Sequence, residues 1–280
     1  MLRLGSSSPA FLCLTLTALI ALSLSAAPEP PASPDAALLK QKIDRGDMKG
    51  ISETAFRQLM ATAEPMAILD AALLILKDHP QYTATLIKQE RIRGDWQEVA
   101  DVIALQFQRD PMSAFLRWIG GPHRGRKVLY NKAASPDEIR VKESGLLGLF
   151  SISLRLDNPL MRRDSNHSIV ELGLEYPLQR IRQDLKLIIQ NGLQVIDPSK
   201  GDWIEADGRR YWEIQVESPG PPVYYTRWAR LRFDIETGMM VTVESRDASG
   251  QRLEKISYQD VRWTTFGPGT FAQGNPAHGM

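Results

Sequence analysis

The chain has 280 residues, with 34 Lys and Arg against 33 Asp and Glu, 43% hydrophobic residues and a single Cys. These values suit one large globular domain with a small helical preface, and they exclude collagen-like, coiled-coil and wholly disordered chains. The balanced charge gives no broad basic field for nucleic acid.

Arg3 is the only charged residue before Glu29. Residues 10–24 form an uninterrupted apolar and hydroxyl run, followed by the small residues Ser25, Ala26 and Ala27. A positive start, a short apolar run and a small-residue end make a secretory signal, expected to be cleaved near Ala27 and to send the chain to the periplasm. The run falls short of the roughly 20 residues needed to span a bilayer, so an uncleaved anchor is the lesser reading. Phe11 and Leu12 precede Cys13, where a lipoprotein signal requires small residues. Once Cys13 is removed, no disulfide, thiolate metal site or c-type haem attachment remains.

Residues 28–35 are Pro-rich and read as an extended linker. A helical region over residues 36–79 follows. Residues 36–43 form a short helix closed by Gly46. Ser52 caps a helix running to Ala63, with Phe56, Leu59 and Met60 on one face. Pro65 opens a third helix over 66–76, ended by His79 and Pro80. From Tyr82 the texture changes to period two. Strands over 82–92 and 96–108 flank a loop at Arg93-Gly94-Asp95, with Val99, Ile103, Leu105 and Phe107 on one face. Short strands over 114–119 and 127–130 flank the polar turn 120–126. A helix over 178–190 carries the stripe Leu178, Ile181, Leu185, Ile188 and Ile189, with Pro177 before it and Gly192 after it. Beyond it, Trp212, Ile214 and Val216 face one way and Glu213, Gln215 and Glu217 the other. Ala229, Leu231, Phe233 and Ile235 repeat this pattern within 225–235. Turns at Thr237-Gly238 and Ala248-Ser249-Gly250 lead into strands over 239–246 and 253–263. The sum is an α+β protein: N-terminal helices packed on a large, mostly antiparallel sheet over residues 80–280, with one inserted helix.

Residues 82–94 (Tyr-Thr-Ala-Thr-Leu-Ile-Lys-Gln-Glu-Arg-Ile-Arg-Gly) resemble the opening of the bacterial family called domain of unknown function 1571. In order, residues 107–118, ending in Trp118, residues 125–130, ending in Leu129-Tyr130, and residues 165–173 around His167 and Glu171 resemble later segments of it. In the last of these Ser168 stands where the family has proline. Phe271 with Asn275-Pro276-Ala277 resembles the family's ending. The resemblance covers roughly residues 80–280 and carries no established chemistry. More distantly the chain looks like the periplasmic lipoprotein-carrier (LolA-like) fold. That likeness implies a curved antiparallel half-barrel closing over helices around an apolar cavity.

No Gly-x-Ser-x-Gly elbow, phosphate-binding Gly-Lys loop or His-Glu-x-x-His motif occurs. His79, His123, His167 and His278 have no local ligand spacing, so no metal and no cofactor are expected. His167 beside Glu171 is either an oriented general base or a loop hydrogen bond that positions the following helix. The cluster His123-Arg124-Gly125-Arg126-Lys127 reads as a solvated turn, with phosphate or lipid head groups as the alternative. Arg230 and Arg232 share a strand face and are expected to pair across strands with Glu213 or Glu217.

Residues 145–150 place Leu146, Leu147, Leu149 and Phe150 around two glycines. Such a loop covers a core, lines a cavity or touches a membrane. With Phe107, Phe115, Trp118, Trp228 and Phe233, these four are the candidate cavity residues. The leading expectation is an exported binding protein rather than an enzyme, holding a lipid or lipoprotein acyl chain by burial of its methylenes. The alternative is an envelope scaffold or interaction protein with a filled core. A hydrolase using His167 is a third. Neither a nucleic-acid partner nor a stable membrane span after cleavage is expected.

Overall fold

The computed structural model describes residues 33–145, 150–193, 200–221 and 223–280. Residues 1–27, expected to be a secretory signal, and Leu146, Leu147 and Leu149 lie outside these residues. Helices α1 (Pro34–Asp44), α2 (Glu53–Thr62) and α3 (Ala67–Asp78) come first. Ser33 and Ser52 cap the first two, each hydroxyl accepting a backbone N–H at 3.2 Å. Such a cap satisfies a donor that helix geometry leaves unpaired. The sequence placed the Ser52 cap correctly and began α3 one residue early.

Twelve strands then form one open antiparallel sheet. They are β1 (Gln81–Ile92), β2 (Asp95–Trp96), β3 (Asp101–Gln108), β4 (Ser113–Gly120), β5 (Lys127–Asn131), β6 (Glu138–Lys142), β7 (Ile152–Arg155), β8 (Asp202–Ala206), β9 (Arg209–Glu217), β10 (Trp228–Asp234), β11 (Met240–Arg246) and β12 (Arg252–Trp263). Helix α4 (Glu175–Gln190) separates β7 from β8. The strand order is β7-β6-β5-β4-β3-β1-β12-β11-β10-β9-β8, with β2 attached to β1. The chain enters the sheet at its middle, builds to one edge, crosses by way of α4 to the other edge, and returns. Tyr82 thus lies opposite Trp263.

Period two decides which face each side chain takes. Ala114, Leu116 and Trp118 of β4 join the main core, together with Ile103, Leu105 and Phe107 of β3. Phe115 belongs to the opposite face, where Leu129 and Phe271 bury it and His278 stacks on it at 4.0 Å. Trp212, Ile214, Val216, Ala229, Leu231 and Phe233 are all buried, as their alternation implies. The inner face near β9 and β10 is filled by the first helices. Phe56 meets Trp212 edge-on at 5.2 Å, and only about 20 Å³ of space remains around Leu39, Phe56, Met60 and Phe233.

The single strand expected over 96–108 is in fact two. Trp96 pairs with Arg91 in a two-residue ladder before the chain leaves the sheet. Gln97 causes the break: its side-chain oxygen accepts the Glu90 N–H at 3.0 Å, a bond that a continuing strand would otherwise supply. Val99 therefore leaves the shared face and is 62% exposed. Strands β6, β7 and β8 are additions to the sequence reading.

Gly173 joins the connection to α4. Its φ is +109°, and a Cβ there would sit 2.9 Å from the Phe107 ring. Next to it, the buried Tyr82 hydroxyl accepts the Leu174 N–H at 3.0 Å. Gly173→Ala is expected to cost about 1–3 kcal/mol from backbone strain and crowding combined. A urea midpoint equal to that of the unsubstituted protein would contradict this.

Candidate functional site

Among the described residues, the β3–β7 half of the sheet is not filled. A cavity of about 550 Å³ lies between its inner face and the segment that leads into α4. Leu86, Ile103, Trp118, Val128, Ile139 and Val141 supply the sheet wall. Leu160, Met161, Ile169 and Pro177 close it from the other side. Ile152 and Leu160 are about half exposed, so apolar side chains also reach solvent at this place.

One part of the lining is polar. His167 precedes a short 3-10 turn, Ile169–Glu171. Glu171 accepts the Ser168 N–H at 2.9 Å and faces His167 Nδ1 at 3.2 Å. The same ring presents Nε2 to Glu254 at 2.5 Å and to Glu90 at 3.8 Å. Carboxylates therefore stand on both nitrogens, and a ring donating to both is an imidazolium. Glu254 and Glu90 are buried at 4% and 0% exposure. Ser245 and Tyr225 donate to Glu254, the former at 3.1 Å. Lys88 caps Glu90 at 2.6 Å, and the Asn166 N–H donates to it at 3.2 Å. On α4, the buried Asp184 accepts the Tyr225 N–H at 2.8 Å and holds that residue in place.

The two central groups shift in opposite senses. Burial works against a charged His167, but Glu254, Glu90 and Glu171 outweigh it and raise its pKa above the ordinary value. Burial likewise works against a charged Glu254, and His167, Tyr225 and Ser245 outweigh it and lower its pKa. Burial, with Glu254 beside it, pushes the Tyr225 hydroxyl far up, so it stays a donor. Linkage fixes the sign. The His167 contribution to stability is complete below the unfolded pKa of about 6.5 and is lost as pH rises through the raised folded value. The Glu254 contribution is present above its unfolded value near 4.5 and is lost as pH falls through the lowered one. Melting temperature should therefore decline as pH climbs past about 6.5. His167→Gln should flatten that decline. Parallel profiles for the two proteins, measured from pH 5 to 9, would refute the assignment.

Glu90, His167 and Glu254 each bring one ligand atom within 4.8 Å of the others, the one such group among the described residues. Lys88 and the His167 proton already supply positive charge there, so the cluster is satisfied as an ion-pair network. Its polar atoms can hold or exchange a proton at the edge of an apolar space.

Of the described candidate residues, Trp118 lines the cavity, and its buried indole N–H meets no acceptor among the described residues. Phe107 packs on Tyr82 in the core, at 5.1 Å between rings. Phe115 lies on the opposite face, and Phe233 is under the N-terminal helices. Phe150 is 79% exposed. Trp228 carries the guanidinium groups of Arg230 and Arg246 at 5.0 and 4.9 Å, beside a separate shallow groove. The sequence flagged His167 and Glu171 because they are four residues apart. It missed Lys88, Glu90, Tyr225 and Glu254, which come from distant strands and loops and carry no local signal. The basic turn is engaged within the protein: His123 faces Asp101, Arg126 pairs with Glu143 and Asp164, and Lys127 donates to the His278 carbonyl. Arg230 and Arg232 both reach Glu213, at 3.3 and 2.7 Å, as their shared face implied.

An open antiparallel sheet, packed by helices on one half of its inner face and hollow on the other, defines the class of architecture. The chain belongs to the family described as protein of unknown function DUF1571, whose model matches residues 79–280. No curated protein matches the sequence. Among solved structures it is similar to the Mycobacterium tuberculosis lipoprotein LppX, at 12% identity over 72% of this chain and 97% of that one, with a TM-score of 0.42. It is also similar to an uncharacterized conserved protein from Thermus thermophilus, at 12% identity over 73% and 90%, with a TM-score of 0.40. A LolA superfamily protein from Nitrosomonas europaea matches at 9% identity over 76% and 99%, with a TM-score of 0.29.

Proposed function

We propose that this is an exported, non-enzymatic protein that binds an apolar chain, either a lipid or a lipoprotein acyl group. The cavity carries the proposal. A space of about 550 Å³ with a mainly apolar surface has the size of a small-ligand site. It stands beside a half of the same core that leaves only about 20 Å³. Each methylene moved from water into such a space contributes about 0.8 kcal/mol, so a long chain binds without a specific polar partner.

Export rests on the composition of residues 1–27. Among the described residues no single helix is long and apolar enough to cross a membrane. Separating periplasm from inner membrane and analysing the protein of each fraction by mass spectrometry, under native conditions and after lipid extraction, tests both parts. The expected result is a chain shortened by the first 25 to 27 residues that carries extractable acyl species. A chain of full length in the inner membrane would sink the export reading. Stoichiometric absence of lipid, with no uptake of an added fatty alcohol, would sink the binding reading and favour the scaffold alternative.

A further inference from the structure

The charged residues around the cavity are unevenly matched. Lys88, Arg126 and Arg163 are its permanent cations, while Asp101, Glu143, Asp164, Glu171 and Glu254 are its carboxylates. Glu90, behind Lys88, adds another. Each cation is already held: Lys88 by Glu90 at 2.6 Å, Arg126 by Glu143 and Asp164 at 3.0 and 2.9 Å, and Arg163 by Asp164 at 3.1 Å. A protonated His167 reduces the negative excess without removing it.

Among the described residues, an incoming carboxylate or phosphate would find no uncommitted cation in this lining and would stand near several negative groups. Both the lost hydration and the repulsion grow as the dielectric falls. A cationic head meets the reverse situation. Glu171 is the group best placed to receive it: its side chain is 27% exposed, its Oε2 is shared by the Ser168 N–H and His167 Nδ1, and among the described residues no Lys or Arg pairs with it. The Tyr176 ring also lines the cavity, next in space to His167 at 6.0 Å, and an aromatic face favours an ammonium over an anion.

We propose that the occupant is an amphiphile with a cationic, amine-type head, received at Glu171 beside Tyr176, and not an anionic one such as a free fatty acid. The proposal rests on the cavity being a binding site. It is tested by displacing a neutral apolar fluorophore, N-phenyl-1-naphthylamine, from the full chain at pH 7 with three ligands of twelve carbons each: dodecylammonium, dodecanol and dodecanoate. Dodecylammonium should bind at least about tenfold more tightly than dodecanoate, the scale of one charge-assisted hydrogen bond. Glu171→Gln should narrow that gap to about threefold or less. If dodecanol binds but dodecanoate equals or exceeds dodecylammonium, the head-group inference is wrong and the cavity reading stands. If the preference survives in Glu171→Gln, Glu171 is not the receiving group, and the proposal fails as stated. If neither the fluorophore nor any of the three ligands binds, both readings fall together.

Discussion

Replacing Glu254 by Ala is expected to be among the most damaging single substitutions in this protein. The change strips His167 of its shortest partner and leaves the Ser245 and Tyr225 hydroxyls without their acceptor. Removing one member of a buried ion pair typically costs about 3–5 kcal/mol, because the survivor stays buried and uncompensated. For a domain of this size that corresponds to a fall of roughly 6–20 °C in melting temperature. The loss should be smaller at high pH, where His167 is neutral and needs the carboxylate less. A Glu254→Ala protein that melts within a degree or two of the unsubstituted one at pH 6 would show that the network is not formed as described.

The second large effect concerns the hollow half of the sheet. Ile139 and Val141 lie on one face of β6 and both line the cavity. Changing both to Phe should fill much of it, and binding of a neutral apolar probe should drop by more than about tenfold, as expected when several buried methylenes lose their place. Stability should hold or rise, since the larger rings enter vacant space. In a packed core the same substitutions would instead cost about 1–3 kcal/mol each from overpacking. Measuring probe affinity and melting temperature together separates the cases. Retained binding with a loss of several degrees would mean that this wall is already filled in solution.

How far the sequence reveals this molecule depends on whether a signal is local. The strands around Trp212, Ile214 and Val216, and around Ala229, Leu231 and Phe233, were legible because one face is buried and the other wet, so alternation survives in the chain. Strand β7 was not legible, because it is an edge strand of four residues whose side chains are mostly exposed. Val99 misled because its spacing fits the strand, while the Gln97 amide ends the ladder just before it. The His167 and Glu171 pair could be noticed because both lie in one short loop. Glu90 and Glu254 could not be joined to them, since each looks like any outward carboxylate of its own strand until β1 and β12 are paired. The cavity is harder still. Ile103, Ile139 and Val141 have the composition of a core, and what distinguishes a wall from a core is the missing neighbour, which no residue type encodes.

Pairing β1 with β12 at the centre of the sheet also sets the order in which this protein can fold. Strands β1, β3, β4, β5 and β6 are close in sequence and can zip together early, yet β1 then keeps a free edge until residues 252–263 have emerged and found it. Contacts of such long sequence separation carry a large loop-closure cost before they return any stability, which makes folding slow. Until then the half-built sheet exposes unpaired backbone on β1, the kind of edge that recruits other chains. The Lys88, Glu90, Glu254 and His167 network spans this same seam, so its burial can be completed only after the late strand docks. The seam is thus both the last part of the sheet to close and the place where a chain stopped short of Arg252 would be most prone to aggregate.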